Sequence, residues 1–176
     1  LYLQNRKFGD ELFETVYEAA KEFNGAVIAP NTIRTIEGGL LSYQSDFGRE
    51  HNPFTIGLDR LVDLDQDIDF IGKEALKKIK KDGVTEKLVG VEIDGNPIQK
   101  VPENFWPVFD INNNKLGRLS RCFFSPRLKR NIGLAIIKVN SAVPGTPLII
   151  ESPKAHLNAQ VHELPWFPAE KSTNLD

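Results

Sequence analysis

One carboxylate stands out in the sequence because of the residues around it. Glu37 ends an apolar, helix-like run and is followed by Gly38 and Gly39 in the stretch IEGGLLSYQSDF. Two interpretations compete. The common one is a solvated helix end. The functional one is a carboxylate directed into a pocket that the two glycines leave open.

A second group of acids imitates a calcium-binding loop. Four aspartates alternate along the chain, and a glutamate stands at position twelve counted from the first of them: Asp63, Asp65, Asp67, Asp69 and Glu74. The sixth position is Ile68, where a calcium loop needs glycine for its turn. The sequence therefore predicts a polar loop with Asp69 near the start of a helix, whose dipole favours an acid, and no metal site.

The histidines and the cysteine form no recognisable catalytic or metal-binding pattern. His51, His156 and His162 lie in different segments, without the spacing of zinc ligands or of a serine hydrolase triad. Cys122 is the single cysteine, so no disulfide can form within the chain, and we expect a structural thiol. A lone thiol fits a reducing compartment, and we expect a cytoplasmic protein.

Between residues 115 and 138 the chain is basic and contains no acid. Its cations are Lys115, Arg118, Arg121, Arg127, Lys129, Arg130 and Lys138. One interpretation is a solvated hairpin, and the other is a face that attracts an anionic ligand. Because the formal net charge of the chain is −2, a small polyanion suits such a face better than DNA, and no nucleic-acid partner is expected.

The first residues show helical and strand-like patterns in turn. Apolar residues at helical spacing predict a helix over residues 9–24, with Asp10 as its N-cap and Asn24-Gly25 at its end. The stretch AVIA, residues 26–29, predicts a short buried strand. The chain up to this point indicates an α/β unit.

The helix that would carry Glu37 follows directly. Asn31 or Thr32 can cap it, and Ile36 lies on its apolar face with Glu37 near the edge. Downstream, residues 56–64 predict a strand, and residues 69–83 predict a helix with Ala75, Leu76 and Ile79 facing inward.

Beyond residue 85 the pattern changes to short, partly alternating apolar segments separated by Asn, Gly and Pro. The run Asn112-Asn113-Asn114 predicts a hairpin turn. Regular short strands with turn signals favour a small all-β barrel or sandwich. The predicted fold class is therefore α+β, with an α/β segment at residues 1–85, a small C-terminal β-barrel at 86–170 and a frayed tail at 171–176.

The chain contains no methionine and begins with LYLQ, an alternating tetrapeptide typical of a strand. We therefore expect an N-terminal part of the protein to be missing from this sequence. No apolar run approaches the roughly 20 residues that a membrane helix requires, and no membrane partner is expected.

Five stretches carry a resemblance to a known family: PNTIRTIEGGLLSYQSDF, NPFTIGLDRLVDLDQDIDFIGKEAL, KLVGVEID, SPRLKRNIGLAIIK and ELPW. In this order and spacing, the chain resembles the C-terminal half of the folate-dependent aminomethyltransferases, the family of the glycine cleavage T-protein. Its first stretch is more similar to the dimethylsulfoniopropionate demethylase branch. The glycine-cleavage enzymes more often read RxEAGLxLYGND at this place.

The resemblance implies an enzyme that binds tetrahydrofolate and transfers a one-carbon unit onto it, a methyl group in the demethylase branch. The family's pterin-binding glutamate falls on Glu37, whose carboxylate can accept two hydrogen bonds from the amino-pyrimidine edge. Tyr43 is the candidate for stacking beside it. Residues 1–85 would then be part of the folate-binding region, and the barrel would close the folate channel.

The implied partners are reduced folate, a small methylated donor substrate and the N-terminal remainder of the same protein. The family's important aspartate belongs to that remainder, so no catalytic residue is expected in this chain. An arginine that glycine-cleavage members use near residue 62 has no clear counterpart here, and neither has their tyrosine near the C-terminus.

Three alternatives remain open at this point. The first is a glycine cleavage aminomethyltransferase, and the second is the folate half of an enzyme that demethylates dimethylglycine or sarcosine. The third is a non-catalytic folate-binding module. Members of that third class that assemble iron–sulfur clusters carry a KGCYxGQE motif, which is absent here and which Cys122 does not supply.

Overall fold

The structure is a computed structural model that describes residues 5–29 and 31–167. The chain divides into two compact units at Asn31/Thr32, and each is described by itself. The first contains a short 3-10 helix, Arg6–Phe8, and helix α1, Gly9–Lys21. Acids in the first turn of α1 and Lys21 in its last turn complement the helix dipole. No residue of α1 is buried.

Two sequence predictions for this unit are wrong. Asp10 lies inside α1 instead of capping it, since the cap position is Phe8, which makes no side-chain cap. The segment 26–29 forms no strand, and Val27 and Ile28 are exposed. A strand needs a neighbour to pair its backbone, and residues 5–29 contain no other strand. The predicted strand at LYLQ lies outside the described residues.

The second unit is built around a closed, six-stranded antiparallel barrel with the strand order β1-β4-β3-β2-β5-β6. Its strands are β1 Glu86–Ile93, β2 Trp106–Phe109, β3 Lys115–Ser125, β4 Arg130–Lys138, β5 Pro147–Glu151 and β6 His156–His162. The barrel confirms the predicted α+β fold class and excludes the sandwich. It has no free sheet edge, because β1 and β6 pair with each other.

The barrel interior is filled by branched aliphatic side chains from all six strands, among them Val91, Val108, Ile137 and Ile150. Cys122 lies in this core and is fully buried, which confirms the structural thiol. Burial disfavours the thiolate and raises the pKa of the Cys122 thiol to about 12. The predicted hairpin at residues 112–114 joins β2 to β3.

Strand β4 is buried on both faces, because a covering segment lies on the outside of the barrel at this point. This segment comprises helix α2, Thr32–Glu37, and the irregular chain over residues 38–58. Outward-facing side chains of β4 pack against Ile36 and Trp166 in one cluster and against Ile56 in another. These contacts place the end of α2 against the barrel wall.

The region between the covering segment and the barrel differs from the predictions. Residues 56–64 contain a 3-10 helix, Asp59–Leu61, and no strand, because backbone bonds close locally from Leu61 to Leu58 and from Val62 to Asp59. Helix α3, Lys73–Asp82, is shorter than predicted. Leu76 and Ile79 are partly buried as expected, but Ala75 is exposed.

The loop that carries the four aspartates, at residues 63–69, binds the ammonium group of a lysine from α3. Lys73 is buried, and its Nζ donates to the backbone carbonyls of Gln66 and Ile68. In the described part of the chain, no three or more His, Cys, Asp or Glu side chains are placed to hold a metal ion. The same residues include no helix with the length and apolar character to cross a membrane. The tail at 171–176 lies outside the described residues.

Candidate functional site

Glu37 is the last residue of α2, and the two glycines after it end the helix. Gly39 has a φ of +63°, a conformation that glycine adopts without strain. The amide of Gly39 donates to Ile36 O at 3.0 Å and the amide of Leu40 donates to Thr35 O at 2.8 Å. This pair of bonds is a Schellman motif, which satisfies two carbonyls of the last helical turn.

The structure contradicts the solvated helix end, because Glu37 is only 8% exposed. A Cβ atom placed on Gly39 would lie 3.7–3.8 Å from atoms of Leu164 and Pro165, so this side of the Gly39 backbone faces packed chain. A role of the Glu37 carboxylate in binding a ligand stays a prediction.

Glu37 is held by two hydrogen bonds from distant parts of the chain. Its Oε1 accepts a bond of 2.6 Å from the hydroxyl of Ser125, at the end of β3. Its backbone carbonyl accepts a bond of 3.0 Å from the amide of Trp166. Since Ser125 Oγ accepts from the Leu128 amide at 3.0 Å, its single proton is directed to the carboxylate.

The Glu37 carboxylate retains unused acceptor capacity. Two carboxylate oxygens offer about four acceptor sites, and among the described residues Ser125 is the one side chain that hydrogen-bonds it. No Lys or Arg in the described chain forms an ion pair with it. The free oxygen is not enclosed, because Trp166 Nε1 is the one buried side-chain N or O atom of the described chain that has no hydrogen-bond partner. A ligand that presents N–H groups can therefore take the place of water at this carboxylate.

Trp166 packs beside Glu37, in the apolar cluster that includes Ile36. Its indole ring stacks on His162 with ring centroids 3.9 Å apart and an interplanar angle of 16°. Its Nε1 is buried and has no hydrogen-bond partner among the described residues. The residue is 7% exposed and packs with Ile36 and Leu134.

Tyr43 lies six residues after Glu37, on the same covering segment. It is 54% exposed, and its ring and that of Phe47 form a T-shaped contact, at a centroid distance of 5.7 Å and an interplanar angle of 67°. Gln44 after it has a φ of +68°, which turns the chain back so that the Gln44 amide donates to Phe47 O at 2.7 Å. A half-exposed, anchored tyrosine can offer a ring to a ligand.

The sequence patterns did not indicate the strongest polar network of this region. Asp46 is 1% exposed and accepts hydrogen bonds from the Ser42 amide, the Ser120 hydroxyl and Arg121. The Arg121 contact is bidentate, with Nε to Oδ1 at 2.8 Å and Nη2 to Oδ2 at 2.6 Å. Asp46 and Ser125 lie in stretches that carry the family resemblance, but no periodicity marked either residue.

The basic run at 115–138 is not one continuous basic face. Three of its arginines pair with acids from other segments: Arg118 with Glu50, Arg121 with Asp46, and Arg130 with Glu92. A fourth, Arg127, lies over the ring of Phe167 at 3.6 Å from the centroid. The ion pairs neutralise three of the seven cations, whereas the ring contact leaves the charge of Arg127 in place.

Comparison with known proteins finds similarity to one family over most of the chain. Residues 86–168 match the glycine cleavage T-protein C-terminal barrel domain. An aminomethyltransferase from Geobacillus is 35% identical over 164 residues, which are 91% of this chain and 43% of that protein. A dimethylsulfoniopropionate demethylase from Ruegeria pomeroyi is 27% identical over 168 residues, 94% of this chain and 44% of that protein.

A solved structure shares the fold. The glycine cleavage system aminomethyltransferase T from Bartonella henselae superposes with a TM-score of 0.67 at 22% identity, over 75% of this chain and 36% of that one. The chain thus spans less than half the length of each of these relatives. From the matched barrel domain and the similarity that extends through the Glu37 segment, the chain belongs to the family of the glycine cleavage T-protein and the aminomethyltransferases.

Proposed function

We propose that the intact protein is a tetrahydrofolate-dependent one-carbon transferase in which Glu37 binds the pterin ring. One observation carries this proposal. Glu37 is a buried carboxylate, fixed through its backbone and one oxygen, that retains acceptor sites its own described chain does not fill.

The chemistry of the donor set fits the cofactor. The amino-pyrimidine edge of a pterin presents neighbouring N–H groups, and hydrogen bonds from such groups to a charged acceptor contribute about 1.5–3 kcal/mol each. The partly exposed ring of Tyr43 would stack against the flat cofactor. Tetrahydrofolate, when bound, supplies the nitrogen that receives the one-carbon unit.

The division of labour follows from the family resemblance and the length of the relatives. Residues 32–58 supply the cofactor-binding groups Glu37 and Tyr43, whereas the N-terminal remainder of the intact protein supplies the catalytic aspartate and lies near the donor. Residues 1–85 would form part of the folate-binding region, residues 86–170 the barrel that closes it, and residues 171–176 a tail.

The proposed donor is a small methylated compound of the dimethylsulfoniopropionate type. The stretch PNTIRTIEGGLLSY supports it, as does a similarity to the Ruegeria pomeroyi demethylase that extends over 94% of this chain. The second candidate is the aminomethyl carrier of glycine cleavage, which the higher identity of 35% to the Geobacillus aminomethyltransferase favours. A panel of both donors, with dimethylglycine and sarcosine added, assayed with the intact protein and tetrahydrofolate, separates the candidates.

The cofactor proposal is tested by titrating the intact protein with tetrahydrofolate. Glu37→Gln keeps the size of the side chain but replaces an acceptor oxygen by an N–H₂ donor, so the dissociation constant should rise by about tenfold to a hundredfold. Tyr43→Leu should raise it by less, about threefold to tenfold, because stacking contributes less than a charge-assisted pair.

Glu151→Gln is the matched control. The substitution makes the same chemical change at an exposed residue, at the end of β5. Its affinity should equal that of the wild type. Equal affinities for wild type and Glu37→Gln would refute the assignment of Glu37.

A further inference from the structure

One guanidinium group hydrogen-bonds the chain on both sides of Glu37. Arg121 Nη1 donates to Thr35 Oγ1 at 3.0 Å, two residues before Glu37, and Nη2 donates to Leu40 O at 3.0 Å, three residues after it. The remaining two bonds go to the carboxylate of Asp46. Two of the four hydrogen bonds of Arg121 therefore hold the chain on either side of Glu37, and the other two hold Asp46.

A β-bulge in β3 makes this arrangement possible. The pairing of β3 with β4 shifts between Leu119 and Arg121, which leaves Ser120 as an extra residue. Neighbouring residues of a regular strand point to opposite faces, whereas a bulge re-aims them. Here Ser120 and Arg121 both donate to Asp46, and the single hydroxyl proton of Ser120 is shared between Asp46 Oδ1 at 2.8 Å and Leu134 O at 3.1 Å.

The hydrogen bonds around Thr35 and Asp46 have defined donors and acceptors. Thr35 Oγ1 donates to Thr32 O at 2.8 Å, so its lone pairs are free to accept from Arg121. Asp46 Oδ2 accepts from the Ser42 amide at 2.7 Å in addition to Arg121. With its acceptor sites occupied, Asp46 has no capacity left for a ligand.

We infer that Arg121 and Asp46 are positioning residues that fix Glu37 for the cofactor, without touching the cofactor themselves. The inference rests on the proposed function. A guanidinium is planar, holds its charge at all accessible pH values and forms a rigid fork, so it sets the orientation of the three segments it joins. Ser125 fixes the Glu37 carboxylate from one side, and Arg121 fixes the backbone that bears it.

A double-mutant cycle in the intact protein tests this mechanism. Tetrahydrofolate affinity is measured for wild type, Arg121→Met, Glu37→Gln and the double variant, at a temperature well below unfolding. Arg121→Met alone should raise the dissociation constant about tenfold, and by no more than Glu37→Gln does, because it acts through Glu37. In the Glu37→Gln background, Arg121→Met should change affinity by less than about twofold.

Arg118→Met is the matched control. It removes the same side chain from the same strand, but Arg118 forms an exposed ion pair with Glu50 at 3.3 Å. Its affinity should stay within about twofold of wild type. Arg121→Lys keeps the charge and loses the fork, so it should restore only part of the affinity that Arg121→Met loses.

Thr35→Val provides a milder variant should Arg121→Met fail to fold. It removes one of the four hydrogen bonds of Arg121, together with the bond that Thr35 donates to Thr32 O, and leaves the ion pair. It should raise the dissociation constant about threefold. Multiplicative losses in the cycle, or an unchanged affinity in both Arg121→Met and Thr35→Val, would overturn the positioning role while Glu37 remains the cofactor ligand. Equal affinities for wild type and Glu37→Gln would instead overturn the proposed function.

Discussion

Two buried carboxylates on the covering segment, Asp46 and Glu37, differ in how many hydrogen bonds they accept. Asp46 accepts four hydrogen bonds, from the Ser42 amide, the Ser120 hydroxyl and two nitrogens of Arg121. Glu37 accepts one on its carboxylate, from Ser125. Both lie against strand β3 and both are less than one-tenth exposed.

The difference separates a structural acid from a binding acid. A carboxylate whose acceptor sites are filled by its own chain has no free energy to gain from a ligand, whereas a partly unsatisfied one does. Along β3, Ser125 lies four residues beyond Arg121, a distance of about 13 Å in an extended strand. The covering segment is therefore fixed at two separated points, and only one of them has capacity for a ligand.

The largest expected effect is that of Asp46→Asn on stability. The variant leaves Arg121 as a charge without its partner and turns an amide N–H₂ toward donors, so the free energy of unfolding should fall by about 3–5 kcal/mol. Urea unfolding of the intact protein at pH 7 measures it. A loss below about 1 kcal/mol would show that the Asp46 network carries little of the stability assigned to it here.

Ser125→Ala should have a smaller effect. It removes one donor to Glu37 and the acceptor of the Leu128 amide, and a net cost of about 1–2 kcal/mol is expected for such bonds. The same unfolding measurement ranks it against Asp46→Asn. If Ser125→Ala destabilised the protein more than Asp46→Asn, Glu37 and not Asp46 would be the structural acid of the pair.

The barrel and the helix end at Glu37 could be predicted from the sequence because both depend on local signals. Short apolar segments separated by turn residues predict strands where other such segments lie beside them to pair with, and two glycines after an apolar run predict a helix end. The segments at 26–29 and 56–64 also have apolar patterns, but in the described part of the chain neither pairs with a strand, and a strand requires a paired neighbour.

The polar network could not be predicted, because its members are far apart in the sequence. Asp46 and Arg121 are separated by 75 residues, and Arg121 carries no sign that distinguishes it from Arg118. The distinction arises from the bulge at Ser120, which depends on the register between β3 and β4. A pattern that reads one segment at a time contains no information about such a register.

The smallest expected effect is that of Glu50→Gln. This variant breaks the ion pair of Arg118, a second arginine of β3, and tests whether any ion pair on this strand contributes to stability as the Asp46 pair does. Glu50 pairs with Arg118 at 3.3 Å, but its side chain is 61% exposed, and such pairs contribute little in water. The urea midpoint at pH 7 should change only slightly, and 1 M salt should remove the difference from wild type, whereas the Asp46→Asn deficit should persist.

The stability difference between wild type and Glu50→Gln should depend on pH. The pKa of the Glu50 carboxyl is lowered from its ordinary 4.5, first by a hydrogen bond to its own backbone and further by the nearby His51 and Arg118. A lowered folded-state pKa means that the charged form contributes stability above about pH 4.5, and that this contribution is lost as the pH falls through the folded-state value. Wild type should therefore be slightly more stable than Glu50→Gln at pH 7, and the two should converge in acid. A gap between them that widens below pH 4 would contradict this account, since it would require the neutral form of Glu50 to be the stabilising one.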